Sequence, residues 1–470
     1  MILPKSSILN GILVPAAAIT LTSIMAYRMV LYPESNLWPF LFVTMAVAFI
    51  VWRPIIGIAT YLFIYPGVPE AESINLLKMG MLGLTALNFF IWLWQKLRVR
   101  NREWDKPEYI AIYVFLFYLL FSILLGISNG FSVLEWARDI SALVNLIMIP
   151  VLADYFKEKK HRWLIYVLAI LIGIGMVQSV LYYMARYNFV PKAMGMYIYP
   201  YQVRITGLHI PILLLLGACL IKYRTNLWLT AIATICLCLA YALFTITRTI
   251  WLSVAFTGTL YLAYFTRFRR TGKALVLMMC TILAAYYIFT PKDTFSTRMT
   301  TTRTTVRDTQ MRRLRGIMEG DVSLLSRLDE SIKAWDKFKE NPIYGVGFGY
   351  SYYFWAHHVF GKGSSGFYRS NYIHNDILYI LSKGGLVGLI LFAAILHHLL
   401  SRLQRLRKRL ATERQNIIPT IAICSIYISL YIGNSTPVIQ ARSGMFFLVV
   451  MIALGMSGFQ VEGHKDNAAC

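Results

Sequence analysis

The chain has 470 residues, of which 57% are hydrophobic and only 14% are charged, and its mean hydropathy is +0.57. About a quarter of the residues of a soluble domain are charged, so this composition excludes an ordinary soluble protein. The net charge of +24 would favour a nucleic-acid partner for a soluble chain, but in a membrane protein Lys and Arg collect in short cytoplasmic loops. We therefore predict a membrane protein without a nucleic-acid partner.

Apolar runs of about 20 residues, the length that crosses a bilayer, recur along the chain. The runs are continuous and do not alternate, which favours membrane helices over a β-barrel. The candidate spans are 8–30, 37–51, 54–65, 77–94, 109–127, 140–156, 163–184, 208–221, 227–244, 250–266, 274–290, 378–400, 417–432 and 444–456. The second and third could form a re-entrant pair, so the predicted fold class is an all-α polytopic membrane protein of about 12–14 transmembrane helices.

The charge of the loops predicts which side each one faces. One alternating set holds 21 Lys and Arg residues, whereas the opposite short loops hold 6. The basic set is 95–108, 157–162, 222–224, 267–273 and 401–414. Basic loops stay in the cytoplasm, so both termini are predicted to be cytoplasmic. Four segments follow: an N-terminal transmembrane bundle at 1–290, a large outer loop at 291–377, C-terminal transmembrane helices at 378–457 and a cytoplasmic tail at 458–470.

The large outer loop of 87 residues is longer than a plain connection, so we expect it to be structured or functional. Its Arg-rich part, 298–315, is either a solvated flexible segment or a contact for lipid headgroups or an anionic substrate. Apolar residues at steps of three and four over 324–338 predict an amphipathic helix lying over the membrane helices, which Asn341-Pro342 ends. Three glycines at 345, 347 and 349 then predict a flexible turn region.

Three residues at the outer side could carry chemistry. Arg248 lies in a very short predicted turn between two spans, where its guanidinium either snorkels or anchors an anion such as phosphate. Arg204 precedes the span that begins at Leu208, and the same two interpretations apply. His374 lies among polar residues at the outer mouth of the span that begins near Leu378. It is either structural or a general base, since neutral imidazole accepts protons near pH 7.

Several classes of site lack their sequence pattern. The chain contains no Walker loop and no His-Glu-x-x-His zinc motif, and no cysteine spacing typical of a metal site. His357 and His358 follow Tyr352, Tyr353, Phe354 and Trp355, a cluster typical of an interfacial aromatic belt. We therefore predict neither a metal nor a cofactor.

One string of motifs resembles the O-antigen ligase and O-antigen polymerase family. It comprises Arg327, Trp335, the run Asn341-Pro342-Ile343-Tyr344-Gly345-Val346-Gly347-Phe348-Gly349, His374-Asn375 and Gly384-Gly385-Leu386-Val387-Gly388-Leu389. These motifs cover only 327–389, whereas the pattern of spans resembles the family over the whole chain. The resemblance implies a GT-C-like membrane glycosyltransferase of the bacterial inner membrane, with its large, partly helical loop in the periplasm.

The resemblance also implies a reaction. A glycan would pass from undecaprenyl diphosphate to a sugar hydroxyl, with inversion and without a metal; the acceptor is lipid A-core for a ligase or a second lipid-linked glycan for a polymerase. His374 corresponds to the family's essential histidine, and Arg248 and Arg327 to its essential arginines. The residues expected to bind substrate are Arg204, Arg369, Tyr372 and Asn375. Lys383 departs from the family pattern, which leaves the acceptor type open.

The chemistry of the residues agrees with this reaction. A diphosphate leaving group gains negative charge, which arginines stabilise, and a neutral histidine can accept the proton of the attacking hydroxyl. We expect a ligase, with a polymerase of O-antigen or exopolysaccharide repeat units close behind. A transporter or flippase for a lipid-linked glycan or a small anion is the alternative from another class, and a structural partner of a polysaccharide assembly complex is a third. In each case we expect contacts with membrane lipids.

Overall fold

The computed structural model describes residues 46–47, 49–67, 76–98, 106–186, 208–223, 227–245, 248–265, 322–356, 366–410, 412, 415–434 and 437–458. The predicted spans 8–30 and 274–290, the Arg-rich segment 298–315, Arg204, His357 and His358 lie outside these residues. The helices are α1 (Pro54–Ile64), α2 (Leu76–Arg98), α3 (Pro107–Ser128), α4 (Val133–Ile140), α5 (Met148–Lys157), α6 (Arg162–Arg186), α7 (His209–Lys222), α8 (Trp228–Thr245), α9 (Arg248–Phe265), α10 (Val322–Glu340), α11 (Asp376–Arg409), α12 (Ile417–Gly433) and α13 (Arg442–Ser457). Short 3₁₀ turns lie at Tyr65–Gly67, Leu143–Ile147 and Lys159–His161.

The described residues form mostly apolar helices. Three are long and apolar enough to cross a membrane: Pro107–Ser128, Lys159–Tyr182 and Asp376–Arg409. The shorter apolar helices are Pro54–Ile64, His209–Lys222, Leu229–Ala242, Ser253–Phe265, Ile417–Gly433 and Arg442–Ser457. The chain is thus a mostly helical, multi-pass membrane protein, whereas the total of 12–14 helices and the GT-C-like fold stay predictions.

The predicted span 140–156 begins at a bend, because the chain turns by 52° between Val133–Ile140 and Leu143–Lys157. The first helix of the pair lies almost entirely between the predicted spans 109–127 and 140–156, and a capping box at Ser132 begins it. At the bend, the Asn145 amide donates to the Ala142 carbonyl at 3.0 Å and accepts from the Tyr61 hydroxyl of α1 at 2.9 Å. A buried polar side chain therefore supplies partners where the helix is interrupted.

The large outer loop, predicted to be partly helical, also contains a β-hairpin. Strands β1 (Tyr352–Ala356) and β2 (Gly366–Ser370) pair antiparallel, with Tyr352 opposite Ser370. Aromatic residues favour strands, and their sides alternate here: Tyr352 and Phe354 are buried while Tyr353 is 56% exposed. The aromatic cluster is therefore a strand with one buried face.

The amphipathic helix predicted in the loop is confirmed as α10, which ends just before Asn341-Pro342. It packs on α11 and β1. The side it buries carries Glu330 and Ala334, whereas Leu328, Ile332 and Trp335 are exposed. The helix therefore lies on the membrane helix α11 as predicted, but these three apolar residues are not buried by the contact.

Candidate active site

Helix α11 is broken at Gly385, whose backbone (φ 61°, ψ −166°) is not helical. The break frees backbone groups on both sides, and the loop segment 342–347 bonds to four of them at 2.9–3.1 Å. The bonded pairs are Val346 with Ser382, Gly347 with Lys383, Leu386 with Pro342 and Val387 with Ile343. Because buried backbone groups need partners, the loop completes the helix.

Glycine is required where the two backbones touch. A Cβ on Gly385 would lie 2.3 Å from the Ile343 carbonyl oxygen, and one on Gly345 (φ +72°) would lie 2.4 Å from the Lys383 carbonyl carbon. Both conformations are also unfavourable for residues with a side chain. The turn at 345–349 is buried and held by hydrogen bonds, so the prediction of a flexible turn region was wrong.

A buried ion pair lies at this junction. Lys383 Nζ lies 2.5 Å from Asp139 Oδ2, and the two side chains are 0% and 2% exposed. Lys383 also donates to the Asn371 carbonyl at 2.7 Å. Asp139 accepts from the Gly349 backbone N–H at 2.7 Å and pairs with Arg138 at 3.0 Å. Lys383, the departure from the family pattern, is therefore enclosed within the protein.

Side chains also fix the β-hairpin. The Tyr352 hydroxyl lies 2.5 Å from Ser382 Oγ, and burial raises the pKa of Tyr352 well above its ordinary value, so the phenol stays protonated. On the other strand, Arg369 pairs with Glu135 of α4 at 2.7 Å and lies over the Tyr353 ring. Arg369, expected to bind substrate, thus ties the hairpin to α4.

His374 precedes α11 and is held by Glu330 of α10. His374 Nδ1 lies 2.8 Å from Glu330 Oε2, and the His374 backbone N–H donates to the same oxygen at 3.1 Å. The histidine side chain is 32% exposed and the glutamate 7%. With Nδ1 bonded, Nε2 is the ring nitrogen that can meet a substrate. Tyr372 packs edge-on against the imidazole, with ring centroids 6.4 Å apart.

The residues on either side of His374 are anchored separately. The Gln440 amide bonds to both backbone groups of Ile373, at 2.9 and 3.1 Å. The buried Asp376 carboxylate accepts from the backbone N–H groups of Val438 and Ile439 at 2.9 and 3.0 Å. The loop before α13 therefore fixes the chain at His374.

Asn375, another expected substrate contact, caps α11. Its side-chain oxygen accepts from the Leu378 backbone N–H at 3.0 Å. An Asn at this position satisfies one of the otherwise unpaired N–H groups at a helix start. The cap is a structural reason for an Asn at this position, and it does not involve a substrate.

Arg248 and Arg327, the arginines predicted to be essential, lie on α9 and α10. Arg327 is half-buried and lies three residues before Glu330 on α10, a spacing that puts both on one face. Arg248 is the first residue of α9 and not part of a turn. Phe256 of α9 stacks on Tyr431 near the end of α12. Arg248 lies eight residues before Phe256 on α9, about 12 Å along the helix axis, in the direction of that end of α12.

The contacts of Asp376 show that this end of α12 lies near His374. A Cβ on Gly433, the last residue of α12, would lie 2.6 Å from the Asp376 carboxylate, and Asp376 is two residues from His374. The start of α9 and the His374 segment therefore lie at the same end of the bundle. Arg204 lies outside the described residues. Among the described residues no group of three or more His, Cys, Asp or Glu could hold a metal ion, and independence from metal stays a prediction.

Residues 231–393 match the family model described as O-antigen ligase. This region belongs to the O-antigen ligase family. The predicted family resemblance is confirmed, and the match indicates an activity of the O-antigen ligase or polymerase type. A comparison with curated proteins finds no match. The O-antigen ligase region contains Arg248, Arg327 and His374, together with the junction between the glycine turn and α11.

Sequence reasoning missed three residues that shape this O-antigen ligase region: Glu330, Gln440 and Asp139. Their partners lie far away in sequence, so no local pattern marks the contacts. Only Glu330 had a signal, since it is an acidic residue one turn after Arg327 on an amphipathic helix.

Proposed function

We propose that the protein transfers a glycan from undecaprenyl diphosphate to a sugar hydroxyl of lipid A-core at the periplasmic face of the bacterial inner membrane. The observation that carries the proposal is the position of His374, a partly exposed imidazole at the start of α11 within the family region. A neutral imidazole there can accept the proton of an attacking hydroxyl.

The proposed reaction is a single inverting displacement. The acceptor oxygen attacks the anomeric carbon on the face opposite the diphosphate, and its proton moves to His374 Nε2. The bond between the anomeric carbon and the diphosphate oxygen breaks, and undecaprenyl diphosphate leaves with the electron pair. The guanidinium groups of Arg248 and Arg327 stabilise the charge that develops on the diphosphate, with Arg204 as a further contact. The mechanism requires neither a metal nor a cofactor.

The test gives the purified protein undecaprenyl diphosphate-linked glycan and lipid A-core, with a chelator and without nucleotide. We expect transfer that the chelator does not reduce. His374→Ala should lower the rate about 10²–10⁴-fold, the usual contribution of a general base. His397→Ala is the matched control, since His397 is an exposed histidine on α11 outside the proposed site, and it should transfer at the normal rate.

The products separate the alternatives. Glycan on lipid A-core supports the ligase. Chain growth on the lipid carrier would make the protein a polymerase with the same chemistry. Movement of the lipid-linked glycan across a vesicle membrane without transfer would contradict the proposal and favour the transporter. Full activity of His374→Ala would contradict the mechanism in either enzyme.

A further inference from the structure

The buried carboxylate of Glu330 lies within hydrogen-bonding distance of both the backbone N–H and Nδ1 of His374. We propose that Glu330 is a positioning residue that fixes the orientation and tautomer of the His374 imidazole; this inference rests on the proposed function. One oxygen, Oε2, accepts from the His374 backbone N–H at 3.1 Å and lies 2.8 Å from Nδ1. The first bond places the residue, and the second sets the rotation of its ring.

The geometry decides which ring nitrogen can act as the base. An ionised carboxylate only accepts hydrogen bonds, so Nδ1 must carry a proton and Nε2 keeps its lone pair. When Nε2 takes the proton of the acceptor hydroxyl, the imidazole becomes a cation at 2.8 Å from the carboxylate. Because Glu330 is 7% exposed, water screens this attraction little. Glu330 would therefore both orient the base and stabilise its protonated form.

A purely structural role explains less of the arrangement. The backbone beside His374 is already held by Gln440, which bonds to both backbone groups of Ile373, and by the Asn375 cap. Because these anchors already hold the backbone, the bond between Glu330 and the imidazole ring is not needed to fix the chain. Glu330→Gln keeps the size of the side chain and an acceptor oxygen, so it removes the charge and the fixed tautomer while the anchors remain.

The test measures kcat and KM for transfer by the full-length protein, with undecaprenyl diphosphate-linked glycan as the donor. We expect Glu330→Gln to lower kcat about 10- to 100-fold, as loss of a partner that orients a histidine does elsewhere, with little change in the KM of the donor. Asp336→Asn is the matched control: it makes the same change on the same helix but breaks only an exposed ion pair with Lys339. It should leave kcat unchanged.

A double variant separates positioning from damage to the fold. If Glu330 acts through His374, Glu330→Gln combined with His374→Ala should transfer no more slowly than His374→Ala alone, because residues that act as a unit are not additive. A further loss in the double variant, or normal kcat in Glu330→Gln beside an impaired His374→Ala, overturns the inference and leaves the proposed function standing. Absence of transfer by the unaltered protein overturns the proposed function and this inference with it.

Discussion

The carboxylate of Asp139 connects three parts of the chain at the level of single residues. It pairs with Lys383 of α11, with the neighbouring Arg138 and with the backbone N–H of Gly349 in the glycine turn. Two charges removed from water are tolerated only when they are paired and hydrogen-bonded. The ion pair therefore fixes how the loop, α4 and α11 meet.

Replacing Lys383 should destabilise the protein at this point. Lys383→Met leaves the buried Asp139 without its closest cation, and breaking a buried pair costs about 3–5 kcal/mol of the free energy of unfolding. Thermal unfolding in detergent should show the loss. Combining it with Asp139→Asn removes the unpaired charge and keeps an acceptor for Gly349, so the double variant should be more stable than Lys383→Met. Unchanged melting of Lys383→Met would contradict the role of the pair.

The junction between α11 and the glycine turn acts at the scale of whole elements. The helix loses its own hydrogen bonds at Gly385 and makes four with the loop, two donated by the loop and two by the helix. Tyr118 of α3 adds a bond to the Gly384 carbonyl at 2.5 Å. The loop is therefore built into the membrane helices through α11, the helix that His374 precedes.

A methyl group at the junction should separate the two elements. Gly385→Ala places a Cβ 2.3 Å from the Ile343 carbonyl oxygen in a conformation that costs about 1–3 kcal/mol for other residues. We expect lower thermal stability and reduced transfer. Gly173→Ala is the control, since a Cβ there meets nothing within 4 Å and Ala favours a helix. Equal melting of the two variants would mean that the junction tolerates a side chain.

The sequence predicts well what depends on neighbouring residues. The span predicted at 417–432 is observed as Ile417–Gly433, because an apolar run is a local pattern. The bend at Asn145 was missed because a partner, Tyr61, lies 84 residues away. The pairing of Glu330 with His374 was missed for the same reason, across 44 residues. The family motifs mark His374 and Arg327, whereas the contacts that hold them depend on the fold.

At the scale of the whole molecule, the predicted cytoplasmic loops join helix ends that lie together. Lys106, Lys157 and Arg402 line one cavity at this end, and Lys96 pairs with Asp154 beside it at 2.6 Å. His374, α10 and the hairpin lie at the other end of α11. Charged groups avoid the bilayer interior, so the two polar ends define two membrane surfaces.

The orientation of these ends can be tested with a membrane-impermeant thiol reagent on spheroplasts. In a variant without native cysteines, Lys339→Cys of α10 should be labelled, because the loop is predicted to be periplasmic. Lys160→Cys, between α5 and α6, should be labelled only after lysis, because basic loops stay in the cytoplasm. Lys339 and Lys160 are 59% and 72% exposed, so access to the reagent is comparable. The reverse pattern would place His374 on the cytoplasmic side, away from a periplasmic acceptor, and would contradict the proposed reaction.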